Sequence, residues 1–164
     1  MAKSTAPQSG QKWLPPVVFY FQVCFQRAGG PNFRASFLEV GGLAWDLGKR
    51  TYDGNGGPRP VPSGVSYPNV TLKRPVGPLD GSLARWVEDC RRFMDTSAKQ
   101  KDMKKIMAYD VVIHLLDKEG KPQASWQCTN AYPVKWSLGN FDSGDSKVAT
   151  ETVELAYDRL ERVN

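Results

Sequence analysis

Apolar and polar residues alternate along most of this chain, with the two-residue period of β-strands. Phe19, Phe21, Val23 and Phe25 share one face of a first strand, and Tyr20, Gln22, Cys24 and Gln26 share the other. The stretch RAGGPN, Arg27 to Asn32, supplies a turn, and Phe33, Ala35 and Phe37 open a second strand. There the alternation slips to Leu38 and Val40, which predicts a bulge or bend near Glu39 in an otherwise simple β-hairpin. Val70 and Leu72 mark a short strand. Met107, Tyr109, Val111, Ile113 and Leu115 mark a long one, which the DKEG turn at Asp117 to Gly120 returns through Ala124, Trp126 and Cys128. Two further strands, one through Val134, Trp136 and Leu138 and one through Ala149, Glu151, Val153, Leu155 and Tyr157, flank a loop rich in Gly, Asp and Ser.

One segment has the helical period instead. After the start signal Asp80-Gly81-Ser82, the residues Leu83, Trp86, Val87, Cys90 and Phe93 recur every three or four positions and form one apolar stripe. This predicts a helix over about residues 82–95, with Arg85, Glu88, Asp89 and Arg92 turned to water. Eight or so strand segments around a single helix, without βαβ alternation, predict a mainly β fold, an antiparallel β-sandwich or barrel with one packed α-helix.

Three stretches interrupt the pattern. Residues 1–16 read as a flexible N-terminal arm ending in Trp13-Leu14-Pro15-Pro16, which leaves 17–164 as a single β domain. Lys49 to Tyr67, KRTYDGNGGPRPVPSGVSY, has a Gly and Pro content that excludes a helix and discourages a central strand. It reads as a long connection, and connections of that length inside a compact domain are generally functional or disordered. Thr96 to Lys105 is a polar, basic connector.

Composition adds constraints. The 164 residues suffice to bury roughly 68–70% of the unfolded surface, and 40% hydrophobic with 24% charged residues is ordinary globular usage. Neither a membrane-spanning run nor the apolar core of a secretory signal is seen, so the expectation is an unanchored protein made and kept in the cytoplasm. Cys24, Cys90 and Cys128 lie far apart in apolar patterns and read as reduced core residues. The formal charge of +5 raises the alternative of a basic β-barrel for single-stranded nucleic acid, but the basic residues lack the aromatic interleaving of a stacking platform.

Catalytic and metal chemistry find no support in the residue pattern. His114 is the one histidine, too few for a zinc or iron site, and no nucleophile elbow accompanies it. Gly54, Gly56 and Gly57 are followed by no Lys-Ser/Thr and read as turn glycines rather than a phosphate loop. Asp142, Asp145, Glu151 and Glu154 lack the ligand spacing of a calcium loop. The expectation is a non-enzyme with no cofactor and no metal. Trp13 and Trp45 flank irregular segments and are candidate interface aromatics.

The order YPNVTLKRP (Tyr67 to Pro75), a helix carrying Trp86, VVIHLLDKEGKPQASWQCTNAYPVKW (Val111 to Trp136) and FDSGDSKVATETVELAYDRL (Phe141 to Leu160) resembles the tail tube family of contractile phages and phage-tail-like injection particles. The resemblance covers residues 17 to 163 and implies a fold similar to the haemolysin-coregulated protein of type VI secretion. It further implies hexameric rings of this chain, stacked into a hollow tube that a contracting sheath drives through a target envelope. The implied partners are the chain itself, a sheath protein, baseplate or hub proteins, a tube-terminating cap, and cargo or DNA in the lumen. A specialised ring joining tube to baseplate is the alternative within the family. On this reading Lys49 to Tyr67 reaches a neighbouring ring, with Arg50, Tyr52, Asp53 and Arg59 as the expected contact groups.

Overall fold

A computed structural model describes residues 20–77, 81–96, 108–139 and 148–164. The expected N-terminal arm with Trp13, Met107, most of the basic connector, and Asp142 and Asp145 of the loop before Val148 lie outside the described residues. Ten strands and one helix make up the rest: β1 Tyr20–Gln26, β2 Phe33–Phe37, β3 Glu39–Gly41, β4 Asp46–Gly54, β5 Gly57–Ser66, β6 Val70–Pro75, α1 Ser82–Thr96, β7 Tyr109–Leu116, β8 Pro122–Leu138, β9 Thr150–Ala156 and β10 Arg159–Arg162. Every strand pairing is antiparallel.

The body is a mainly β barrel built from two bent sheets. One runs β2-β1-β7-β8-β10 and the other β8-β9-β6-β3, and three segments pass from one to the other. β8 bends at Asn130, whose φ of 57° lies in the left-handed region that asparagine tolerates better than most residues. The Asn130 amide donates to Asp110 Oδ1 at 3.0 Å and its side-chain nitrogen to Asp158 Oδ2 at 2.9 Å, which fixes the corner. β2 passes into β3 through Leu38, whose amide donates to the Lys73 carbonyl at 2.9 Å. β9 passes into β10 through Tyr157 and Asp158, the latter donating to the Thr129 carbonyl at 3.0 Å. Because β2 pairs with β1 while β3 pairs with β6, the Phe33 to Gly41 segment closes the barrel.

Most inward rows are those the alternation predicts, but the row Val134, Trp136 and Leu138 at the end of β8 is exposed. Val23, Phe25, Val111, Ile113, Val70, Leu72, Val153 and Leu155 are buried. Phe25, Phe33, Tyr109 and Trp86 form an aromatic cluster with centroids 4.4–6.4 Å apart, and Trp86 and Leu83 seat α1 on the barrel through it. The opposite face of α1 is charged. Arg91 and Arg92 bond Glu88 at 2.7–2.9 Å, Arg91 also meets Asp95, and these bonds hold the Glu88 carboxyl at a pKa of about 2.

Three expectations are corrected. The segments around Trp126 and Trp136 are one 17-residue strand, β8, because the Asn130 corner bends the chain without ending its pairing. β10 is an additional strand, short and, among the described residues, paired only with β8. Most of Lys49 to Tyr67, read as a long loop, is a second hairpin, β4-β5, forming a separate two-stranded sheet.

Candidate assembly surface

The β4-β5 hairpin is an arm rooted on the barrel. At its first root Gly42 has a φ of 78°, and a Cβ there would stand 2.1 Å from the Asn69 carbonyl oxygen, so glycine is required by conformation and by space. Leu43 turns inward onto the core. At the other root Tyr67 rests on Tyr157, with centroids 5.9 Å apart.

Beyond the roots the ladder pairs Leu47 with Val65 and Gly48 with Gly64, then shifts so that Lys49 meets Pro62 and Ser63 is the extra residue. Arg50/Val61, Thr51/Pro60, Tyr52/Arg59, Asp53/Pro58 and Gly54/Gly57 follow to the turn at Asn55 and Gly56. Residues directly opposite share a face. One face therefore carries Arg50, Tyr52, Arg59 and Val61, with the Arg59 guanidinium 5.6 Å from the Tyr52 ring centroid. The other carries Leu47, Val65 and the proline row Pro58, Pro60 and Pro62, together with Lys49, Thr51 and Asp53.

The geometry thus brings three of the four expected contact residues together and sends Asp53 to the opposite face. Trp45 precedes β4 and is 58% exposed; Leu47 at 53%, Val65 at 50% and Tyr52 at 51% are exposed as well. The row of Leu47, Val65 and three prolines on one face of the arm, set against Lys49, Thr51 and Asp53, was missed in the sequence. Its signal was there in the Pro-x-Pro-x-Pro spacing of PRPVP, which places three prolines on one side of a strand.

Elsewhere, polar groups serve the fold. Glu151 is buried on the inner face of β9 and accepts bonds from Arg74 Nε at 2.6 Å, Trp136 Nε1 at 3.1 Å and the Gly77 amide at 3.4 Å. Lys73 pairs with Glu39 at 3.3 Å and Lys135 with Glu154 at 3.3 Å. Many cations therefore face carboxylates, which is not the arrangement of a phosphate-tracking groove. His114 Nδ1 lies 2.7 Å from Ser125 Oγ. Ser125 is only 3% exposed, so its hydroxyl is not presented to a substrate. Burial first, then the nearby Arg34 cation, hold the imidazole below its ordinary pKa, which disfavours the imidazolium a general base must form. Burial pushes the Cys128 thiol up to about 12 and the Tyr157 hydroxyl up to about 12. Among the described residues no three His, Cys, Asp or Glu side chains converge on a point that could hold a metal ion. No described helix is long and apolar enough to cross a membrane.

A barrel of two bent antiparallel sheets, one helix seated on it and a protruding hairpin define the class of tail-tube-like proteins. Among the solved structures that share this fold are three from contractile injection particles. One is a protein in the anti-feeding prophage baseplate, with a TM-score of 0.72 at 24% identity over 93% of this chain and 97% of that one. Another is in the anti-feeding prophage tube-terminating cap, at 0.70 and 22% identity over 99% and 98%. The third is in the sheath-tube complex of the extracellular contractile injection system PVC, at 0.68 and 22% identity over 91% and 93%. A type six secretion system protein is more distant, at 0.56 and 9% identity over 87% and 81%. No curated protein sequence matches the chain significantly. The chain belongs to the T4-like virus tail tube protein gp19 family, whose pattern it matches over residues 17–161.

Proposed function

We propose that this protein is the repeating subunit of the inner tube of a contractile injection particle or contractile phage tail. It forms hexameric rings in the bacterial cytoplasm and these stack into a hollow tube, with a sheath outside, a baseplate at one end and a cap at the other, and cargo or DNA passing through the lumen. Family membership supports the tube, and the solved relatives from sheath-tube, baseplate and cap complexes support the set of partners. The protein acts by self-association rather than by chemistry on a substrate.

The observation that carries the reading is the arm. An isolated two-stranded hairpin is marginally stable in water, yet this one stands off the barrel with Trp45, Leu47, Tyr52 and Val65 each at least half exposed. Covering the exposed half of a large side chain is worth roughly 1 kcal/mol, so the four together contribute roughly 4 kcal/mol per arm, repeated at every subunit. On this reading the arm is the contact between rings, with Arg50, Tyr52 and Arg59 on one face and Asp53 on the other.

Deletion of residues 52–62 is expected to leave rings and abolish stacking, as seen by negative-stain electron microscopy of the purified protein. Tubes of ordinary length from that deletion would refute the arm's role. Assembly without added nucleic acid separates this reading from that of an oligonucleotide-binding barrel, which would instead show salt-dependent binding by the isolated protein.

A further inference from the structure

The prolines of β5 make the arm one-sided. In an antiparallel ladder, pairs that exchange both hydrogen bonds alternate with pairs whose N–H and C=O groups point away from the partner strand. Pro58, Pro60 and Pro62 stand opposite Asp53, Thr51 and Lys49. A prolyl nitrogen carries no hydrogen, so these three pairs are the outward-pointing kind, and Gly54/Gly57, Tyr52/Arg59 and Arg50/Val61 carry the ladder. The outer edge of β5 therefore offers no N–H at positions 58, 60 or 62. The outer edge of β4 keeps its donors and acceptors at Lys49, Thr51 and Asp53, all three residues exposed, and β4 pairs only with β5 among the described residues.

We infer that the β4 edge of the arm is the docking edge, adding by main-chain hydrogen bonds to an open strand edge of a second copy of this chain, while the β5 edge is closed to pairing. The inference rests on the tube reading, which supplies the second copy. The chain also carries an open edge to receive it: among the described residues β10 ends its sheet and pairs with β8 alone. An arm edge that pairs with a different edge of the next copy is a heterologous contact, the kind that builds rings and stacks. Strand addition draws its affinity from the main chain, whereas docking of the arm by its faces would draw it from side chains.

Thr51 separates the two. Its amide points outward, so Thr51→Pro removes a donor from the free edge as Pro60 does on the opposite strand, without removing a rung of the ladder. The wild type, Thr51→Pro, Thr51→Ala and Pro60→Thr are compared by electron microscopy for tube length, with amide exchange at Arg50 and Tyr52 reporting whether the arm remains zipped. Expected are rings with at least a tenfold loss of mean tube length in Thr51→Pro, and near-normal tubes in Thr51→Ala and Pro60→Thr. Where Thr51→Pro unzips the arm, Asp53→Pro, on the same outward row, is read in its place. Normal tubes from the proline variant overturn the inference while leaving the tube reading intact, and so does equal loss in Thr51→Ala, which would place the contact in the side chain. A wild type that forms neither rings nor tubes overturns the tube reading and the docking edge with it.

Discussion

Glu151 shows how a single residue can be placed by the alternation and still be misjudged. Its position in the series Ala149, Glu151, Val153, Leu155 sends it inward, and the pattern gives no reason for a charge there. The reason is Arg74, 77 positions away in sequence and directly opposite on β6. Register between distant strands is not written in local periodicity. Removing one partner of a buried ion pair strands the other charge, at a cost of about 3–5 kcal/mol. Glu151→Ala is therefore expected to lower stability by that amount in urea unfolding, and Glu151→Ala combined with Arg74→Met by clearly less. Gly42→Ala is expected to be more damaging to the arm than to the barrel, because the added carbon meets the Asn69 carbonyl at the root. Limited proteolysis within residues 43–66 measures this. His114 gives a pH signature. Its folded pKa is depressed below the ordinary value of 6.5, so the associated stability is fully present above the unfolded pKa and is lost as pH falls toward the folded pKa. Melting temperature is expected to decline between about pH 7 and pH 5, with a shallower slope in His114→Gln.

At the scale of elements, the two periods were enough for most of the fold. The helix, the β1-β2 hairpin, the bend near Glu39 and the β7-β8 return all follow from which positions are apolar, since burying one face is what defines those elements. Trp86 illustrates the strength of that link. It sits on the helical stripe and joins three other rings in the core, and Trp86→Ala is expected to cost about 3–5 kcal/mol by chemical denaturation. The arm was illegible for the converse reason. β4 and β5 bury almost nothing within the chain, so no apolar alternation marks them, and Gly and Pro suggested a loop. Pro58, Pro60 and Pro62 fit a strand because a two-stranded ribbon leaves every second nitrogen unused. Trp45 and the expected contact residues Arg50, Tyr52 and Arg59 could be singled out from their setting, but the face that Arg50, Tyr52 and Arg59 share follows only from the register.

At the scale of the whole molecule, the protein divides into a barrel that holds the buried core and an arm that buries almost nothing. Burial is concentrated in the barrel, and Trp45 and Tyr52 of the arm are exposed, as are Tyr20, Tyr132 and Trp136 on the barrel surface. Hydrogen exchange should register the difference. In the unassembled protein the ladder amides of Arg50 and Tyr52 are expected to exchange well before those of Val111 and Ile113, and in assembled tubes they are expected to be protected at least tenfold relative to the free subunit. Equal protection of arm and barrel before assembly would contradict the view that the arm is completed by its neighbours.

The proline row has one more consequence, best put in the language of polymer chemistry. A ribbon with two competent edges is a difunctional monomer: it can add to its own kind on both sides and grow a cross-β fibre without limit. Three missing N–H groups on β5 turn the arm into a monofunctional unit, a chain stopper as far as strand addition is concerned. Many copies of an exposed arm can then be held at high local concentration in a tube without the arms polymerising with one another.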